Sequence, residues 1–549
     1  MKKTLNFLKK FWLEIIFFTI AFIFSFWLMW HTFGYKNHII YIAAKAWSDF
    51  SANLPLIRSF SWGHNFPPGD PLLAGVPNTY HFLFYLIVGT LEHLNFRLDF
   101  ALNLPSALGF LGLIILIFLL AKLLFKSRFV AFLSVIFFIF NGSFAFLEFF
   151  KIHPLSWQTP VEIFQNNIFP SFGPYDGKIV SAFWNLNIYT NQRHLAAAFA
   201  LLLTALFLIL KPIVGEKPLT YRRAILVGSF LGLTPFFHSV GFFMGLAVFG
   251  ILFLLCQNQR KPLFVLLGIA FALGAPQLLL MQPGGVESNF RFHPGYLIAN
   301  HLTFSSFINY WFLNLGLALI LIPWGFAKSS PLAKKVFWAF FSLFLIGNLF
   351  QFSREMAANH KFFNFFLIIG NMFGAYAIWL IWQKSLWRKI LAIIFIFFLT
   401  LSGIIDFFAV KNDSWIKIED APLNPDITWI KENTPPQSFF LNSSYLYHPA
   451  SLAGRKIFLG WPYFPWAGGY NTDQRGKIMK NIYEGKDKNK ICNLLIDNKI
   501  SYFTTEDTRG DENLPKIDPT FFQTIFKSTY SNPKNNFRIY EVKENCLAK

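Results

Sequence analysis

The chain has 549 residues, 54% of them hydrophobic and only 14% charged, where ordinary soluble domains carry roughly a quarter charged residues. With 73 phenylalanines and a mean hydropathy of +0.43, it is neither a disordered chain nor an ordinary cytoplasmic enzyme, and three cysteines are too few for a disulfide-built secreted scaffold. The net charge of +20 lies in short loops between apolar blocks, where it orients helices in a membrane, so nucleic acid is not an expected partner.

The apolar blocks are about 20 residues long, the length of a helix that crosses a bilayer. The first, 11–30, follows Lys2, Lys3, Lys9 and Lys10. It is aromatic and has no small-residue exit, so it reads as an uncleaved helix with a cytoplasmic N-terminus. A large outer loop, 31–100, comes next. Within it 81–94 is apolar but short and carries His81, Glu92 and His93, which suits a helix at the outer interface. Crossings are predicted near 101–124, 129–149, 193–211, 223–238, 240–257, 262–281, 305–327, 335–352, 361–382 and 389–407, about eleven with the first. The 223–257 stretch, with Pro235 and His238 at its turn, is either a helical hairpin or one bent helix. Lys and Arg cluster on alternate connections, from Lys122 to Arg128, Lys211 to Arg223, Arg260 to Lys261, Lys328 to Lys335 and Lys384 to Lys389. That pattern places those connections inside and 31–100, 150–192 and 282–304 outside.

The expected fold class is thus a polytopic α-helical protein of the cell membrane, with its helices in 1–407. From 408 to 549 charged and turn residues become frequent, and strand-like runs appear at 438–441 and 537–542. These residues read as a small extracytoplasmic α/β or α+β domain. Cys492 and Cys546 fall within it, and whether they pair depends on a Cα separation that sequence does not give. No internal repeat points to a repeat-built transporter.

The outer loop holds the densest set of candidate residues. Asp49 stands in Trp47-Ser48-Asp49-Phe50, and a carboxylate in so apolar a setting needs a partner or a task. The partner would be Arg58 or Lys45, or a helix terminus. Downstream come Ser59-Phe60-Ser61, Gly63, Asn65-Phe66-Pro67-Pro68, Gly75, Pro77 and Tyr80-His81-Phe82-Leu83, a composition that suits a loop packed on the membrane. This loop, on this architecture, resembles the membrane-embedded GT-C glycosyltransferases that use polyprenyl-phosphate-linked sugars, in particular their bacterial and archaeal members. Two C-terminal stretches are similar as well: 429–436, and Gly454-Arg455 followed by Gly460-Trp461, Trp466-Ala467-Gly468-Gly469-Tyr470 and Arg475.

The resemblance implies a mannosyltransferase-like, inverting transfer of a hexose to a lipid, glycan or protein acceptor, with Asp49 as general base and Asp70 as the spare. A second acid often follows the third crossing in that superfamily. Glu148 is the best placed here, with Glu162 and Asp176 behind it. The lipid phosphate would be held by cations at the outer face, where Arg193 and His194 form one cluster and Arg354 and Lys361 another. Each of these could equally snorkel or pair locally, and His238 reads first as a core histidine. Arg455 and Trp461 are candidates for holding the acceptor. No Cys-x-x-Cys, His-Glu-x-x-His, tight Asp-x-Asp or Walker loop occurs. The sequence therefore leans toward a monophosphate donor with no metal or other cofactor, although a diphosphate donor would bring in a divalent cation. The rival classes are a transporter or lipid-sugar flippase and a non-catalytic assembly protein.

Overall fold

The computed structural model describes residues 2–171, 179–282, 290–298, 302–507 and 514–547. Among these, eight helices are long and apolar enough to cross a bilayer: Phe11–Trp30, Leu98–Phe125, Leu195–Val214, Pro235–Leu255, Gln257–Leu280, Pro331–Leu349, Met356–Trp382 and Leu386–Lys411. A ninth is a pair, Phe304–Leu315 and Ala318–Lys328, bent by 87° next to Gly316, whose φ of 55° only glycine adopts freely.

Eleven crossings were expected, and the difference has local causes. The block at 129–149 is cut into Arg128–Ile139 and Ala145–Ile152 by Asn141-Gly142-Ser143. There the chain passes so close to the last helix that a Cβ on Gly142 would overlap the Leu399 carbonyl oxygen. The block at 223–238 yields only Tyr221–Gly232, twelve residues, stopped ahead of Pro235. The next helix, Pro235–Leu255, breaks at His238, whose backbone is extended (φ −165°, ψ 94°). Segment 81–94 forms a separate helix, Leu83–His93, too short to cross.

The loop 31–100 and the C-terminal residues fold together. Phe33–Lys36 and Ile39–Ala43 form a hairpin through Asn37 and His38, both with positive φ, as two-residue hairpin turns require. The second strand pairs on its free edge with Trp415–Glu419, which leaves the last helix. Beyond it a five-stranded mixed sheet runs in the order Lys456–Ile457, Phe439–Leu441, Tyr502–Thr505, Phe537–Glu541, Tyr530–Asn532. One buried apolar cluster takes Phe33, Phe50, Leu54 and Phe84 from the loop and Ile430, Phe440, Leu452 and Phe537 from the C-terminal residues. This shared core fixes the loop against the sheet.

A buried ion cluster locks the same seam. Arg58 lies 2.5 Å from Asp420 and 3.3 Å from Glu92, with its guanidinium over the Trp62 ring. Arg58→Met would leave two buried carboxylates facing each other without a cation, a loss of about 3–5 kcal/mol. We predict a lower unfolding midpoint and faster proteolysis of the C-terminal residues, and an unchanged digestion pattern would refute this. Farther out, Cys492 and Cys546 are bonded, their Cα atoms 5.4 Å apart. On the chain-entropy scale a loop of this length is worth about 4 kcal/mol, so Cys492→Ser with Cys546→Ser should lower the urea midpoint of this part.

Candidate active site

Asp49 occupies the first turn of the helix Trp47–Ser61, where the helix dipole favours an acid. Neither anticipated partner reaches it: Lys45 binds Asp413 at 2.9 Å, and Arg58 is held by Asp420 and Glu92. Nor does Asp49 cap its helix. Its carboxylate makes no hydrogen bond or ion pair among the described residues and stays partly accessible. Tyr80, Tyr85, Tyr447 and Lys361 lie within reach of its charge. Burial pushes its pKa up to about 6, and the Lys361 charge holds it from rising further.

Lys361 is the second residue of the helix His360–Trp382 and is 8% exposed. Its ammonium also has no hydrogen bond or ion pair among the described residues. Base and cation therefore feel each other across a gap wider than a salt bridge. The gap is held open by the packing of two elements more than 300 residues apart in sequence.

Three imidazoles line the same region. His194 stands immediately before the helix Leu195–Val214, His81 before Leu83–His93, and His238 at the break in Pro235–Leu255. The His81 and His194 Nε2 atoms are 2.8 Å apart, and the Tyr85 hydroxyl is 3.0 Å from His194 Nδ1. Burial, together with the charges of His194, His238 and Lys361, holds the His81 pKa well below the usual imidazole value. One nitrogen of each ring lies within 4.8 Å of the others, close enough for the set to surround a metal ion. The protons of His238 argue against its joining as a ligand. Its Nδ1 accepts the Gly241 N–H at 2.7 Å, capping the helix where it restarts, so its proton sits on Nε2. That Nε2 is buried and has no hydrogen-bond partner among the described residues. It is a donor aimed into the cluster, and with Lys361 it makes the region suited to an oxyanion.

Other predicted residues are placed differently. Arg193 is 0% exposed, and its guanidinium donates to Thr190 O, Met29 O, Asn103 Oδ1 and Thr32 Oγ1. It ties three helices together and does not face a lipid phosphate. Arg354 donates to the carbonyls of Tyr470 and Gly469, fastening a C-terminal turn to the segment before Lys361. Glu148 is no second acid beside Asp49: it pairs with Lys151 one helical turn away, at 2.7 Å, near the surface. Asp70 accepts the Leu72 N–H at 2.8 Å in its own turn, Glu162 lies 3.9 Å from His153, and Asp176 falls outside the described residues. Arg455 is buried and donates to Thr434 Oγ1 and to the carbonyls of Trp62, Ala453, Ile430, Lys431 and Thr434, so it stitches the seam and is closed to an acceptor. Trp461 stacks on Trp47 at 5.7 Å, two residues from Asp49. Sequence reasoning picks out Tyr80 only as part of its loop and misses Tyr85 and Tyr447, because nothing local brings residue 447, far along the chain, beside that loop.

No protein-family profile matches the chain, and no curated protein matches it by sequence. Solved structures do match by shape. The apo Archaeoglobus fulgidus oligosaccharyltransferase aligns with a TM-score of 0.52 at 13% identity, over 97% of this chain and 75% of that one. The same organism's oligosaccharyltransferase AglB, in complex with an inhibitory peptide and a dolichol-phosphate, gives 0.50 at 12%, over 97% and 74%. Mycobacterial arabinofuranosyltransferase AftD gives 0.55 at 12%, over 96% of this chain but only 40% of that longer one. At such identities the likeness is one of architecture, and the chain has the polytopic GT-C fold.

Proposed function

We propose that this protein is a membrane glycosyltransferase that moves a hexose from a polyprenyl-phosphate-linked donor to an acceptor hydroxyl at the non-cytoplasmic face. The observation that carries this reading is that Asp49 and Lys361, neither paired among the described residues, feel each other's charge across a gap. Leaving two opposite charges buried and apart is costly, and a reacting pair placed between them uses both. The acceptor oxygen attacks the anomeric carbon, its proton passes to Asp49, and the bond from that carbon to the phosphate oxygen breaks. The electron pair leaves with the lipid phosphate, which gains one negative charge. Lys361 and the His238 Nε2–H meet that charge as it develops, which is where electrostatic stabilisation lowers a barrier. With Asp49 as the unpaired carboxylate among the described residues at this site, a single displacement that inverts the anomeric centre is the chemistry the site supports.

The dolichol-phosphate in the AglB structure supports a lipid-phosphate carrier, and the disulfide supports an oxidising compartment for the C-terminal residues. The test is a panel of radiolabelled polyprenyl-phosphate hexoses given to the purified protein in lipid, with release of polyprenyl phosphate and product configuration as readouts. Release from none of them would reject the reading. Because Asp49 works as the anion, transfer should be half-maximal near pH 6 and be lost as pH falls below it; a flat acid limb to pH 4.5 would remove Asp49 as the base.

A further inference from the structure

Beside Asp49 the surface carries a group of large, partly exposed aromatic rings. Trp47 is 37% exposed, Tyr463 38% and Trp466 36%. Trp461 joins them: it lies over Trp47 with ring planes 11° apart, 5.7 Å from Tyr463, and Tyr463 is 6.1 Å from Trp466. The four rings thus form a contiguous set with neighbouring centroids 5.7–6.1 Å apart, and Trp47 stands two residues from the base.

The rings are also held firmly. The turn that ends the helix Tyr463–Ala467 accepts a hydrogen bond from Thr79, next to Tyr80, at Gly468 O, and from Arg354 at Gly469 O and Tyr470 O. Tyr447 donates to the Trp47 carbonyl. The rings are therefore tied both to the Asp49 helix and to the segment that leads into Lys361. At Pro462 the set adjoins a cavity of about 360 Å³ whose wall includes Thr472, Asp473, Lys477 and Lys480.

Flat apolar faces flanked by hydrogen-bonding and charged side chains match a carbohydrate, whose ring faces are rich in C–H bonds and whose rims are hydroxyls. We propose that Trp47, Trp461, Tyr463 and Trp466 form an acceptor subsite, and that the acceptor is a glycan of several sugars lying along these rings with its reactive hydroxyl at Asp49. This deepens the glycosyltransferase reading and rests on Asp49 marking the reacting end.

Binding can be measured without any donor. The full-length protein in nanodiscs is titrated with linear hexasaccharides of glucose, mannose and N-acetylglucosamine, and saturation-transfer NMR reports contact. At least one should bind, Tyr463→Ala with Trp466→Ala should bind it about tenfold more weakly, and Tyr463→Phe with Trp466→Phe should retain it. Binding by none of the three, or equal binding by the double alanine variant, would overturn the proposal. If Asp49→Asn keeps both oligosaccharide binding and full transfer, the base assignment fails while the subsite stands. If transfer requires Asp49 but no oligosaccharide touches the rings, the subsite fails while the enzyme stands.

Discussion

Asp49→Asn is expected to lower transfer by about 10²–10⁴-fold while making the protein more stable at neutral pH. The two effects share one cause. The folded carboxyl has a pKa of about 6 against an ordinary value of 3.8, so folding favours its protonated form. The stability this contributes is complete below the unfolded value and is lost as pH rises through about 6. Above that pH the chain carries a buried anion that costs at most about 3 kcal/mol. Asparagine keeps the shape without the charge, so the variant should unfold at a higher temperature than the parent at pH 7.5, and the difference should shrink toward pH 4. A structural aspartate behaves in the opposite way, because losing its partner destabilises the fold. A variant that is both less stable and fully active would remove Asp49 from the mechanism.

Lys361→Met should cost about 10²–10³-fold in turnover, the range seen when one preorganised donor is taken from a developing oxyanion. Methionine fills a similar volume, and Lys361 has no hydrogen bond or ion pair to lose among the described residues, so folding should be intact and stability equal or higher. The decisive comparison is with Arg193→Met. Arg193 holds helices together through four oxygens, so its loss should appear as a fall in the unfolding midpoint. Donor affinity that drops in Arg193→Met but not in Lys361→Met, with both folded, would reverse the assignment made from the structure.

These two cations show how far sequence reasoning reaches in this protein. Both stand out as positive charges on the side of the membrane where lysine and arginine are scarce, and that signal is the same for each. What separates them is the company they keep: Met29, Thr32 and Asn103 hydrogen-bond Arg193, whereas Lys361 is buried with no hydrogen bond or ion pair among the described residues. Arg455 repeats the lesson, since a charged residue in a polar stretch reads as exposed until five backbone carbonyls converge on it. His238 reads as a core histidine, and only its extended backbone at a helix restart reveals a proton held on the buried nitrogen.

The membrane class, most of the apolar helices and the soluble-type C-terminal stretch follow from composition and local pattern alone. Bilayer thickness sets helix length, and an acid in an aromatic loop is conspicuous wherever the loop goes. The interrupted helices at Gly142 and Gly316, the sheet that joins residues 39–43 to 415–419, and the gap between Asp49 and Lys361 were decided only in three dimensions. Each depends on which distant segment occupies the neighbouring space, and close packing settles that for the whole chain at once.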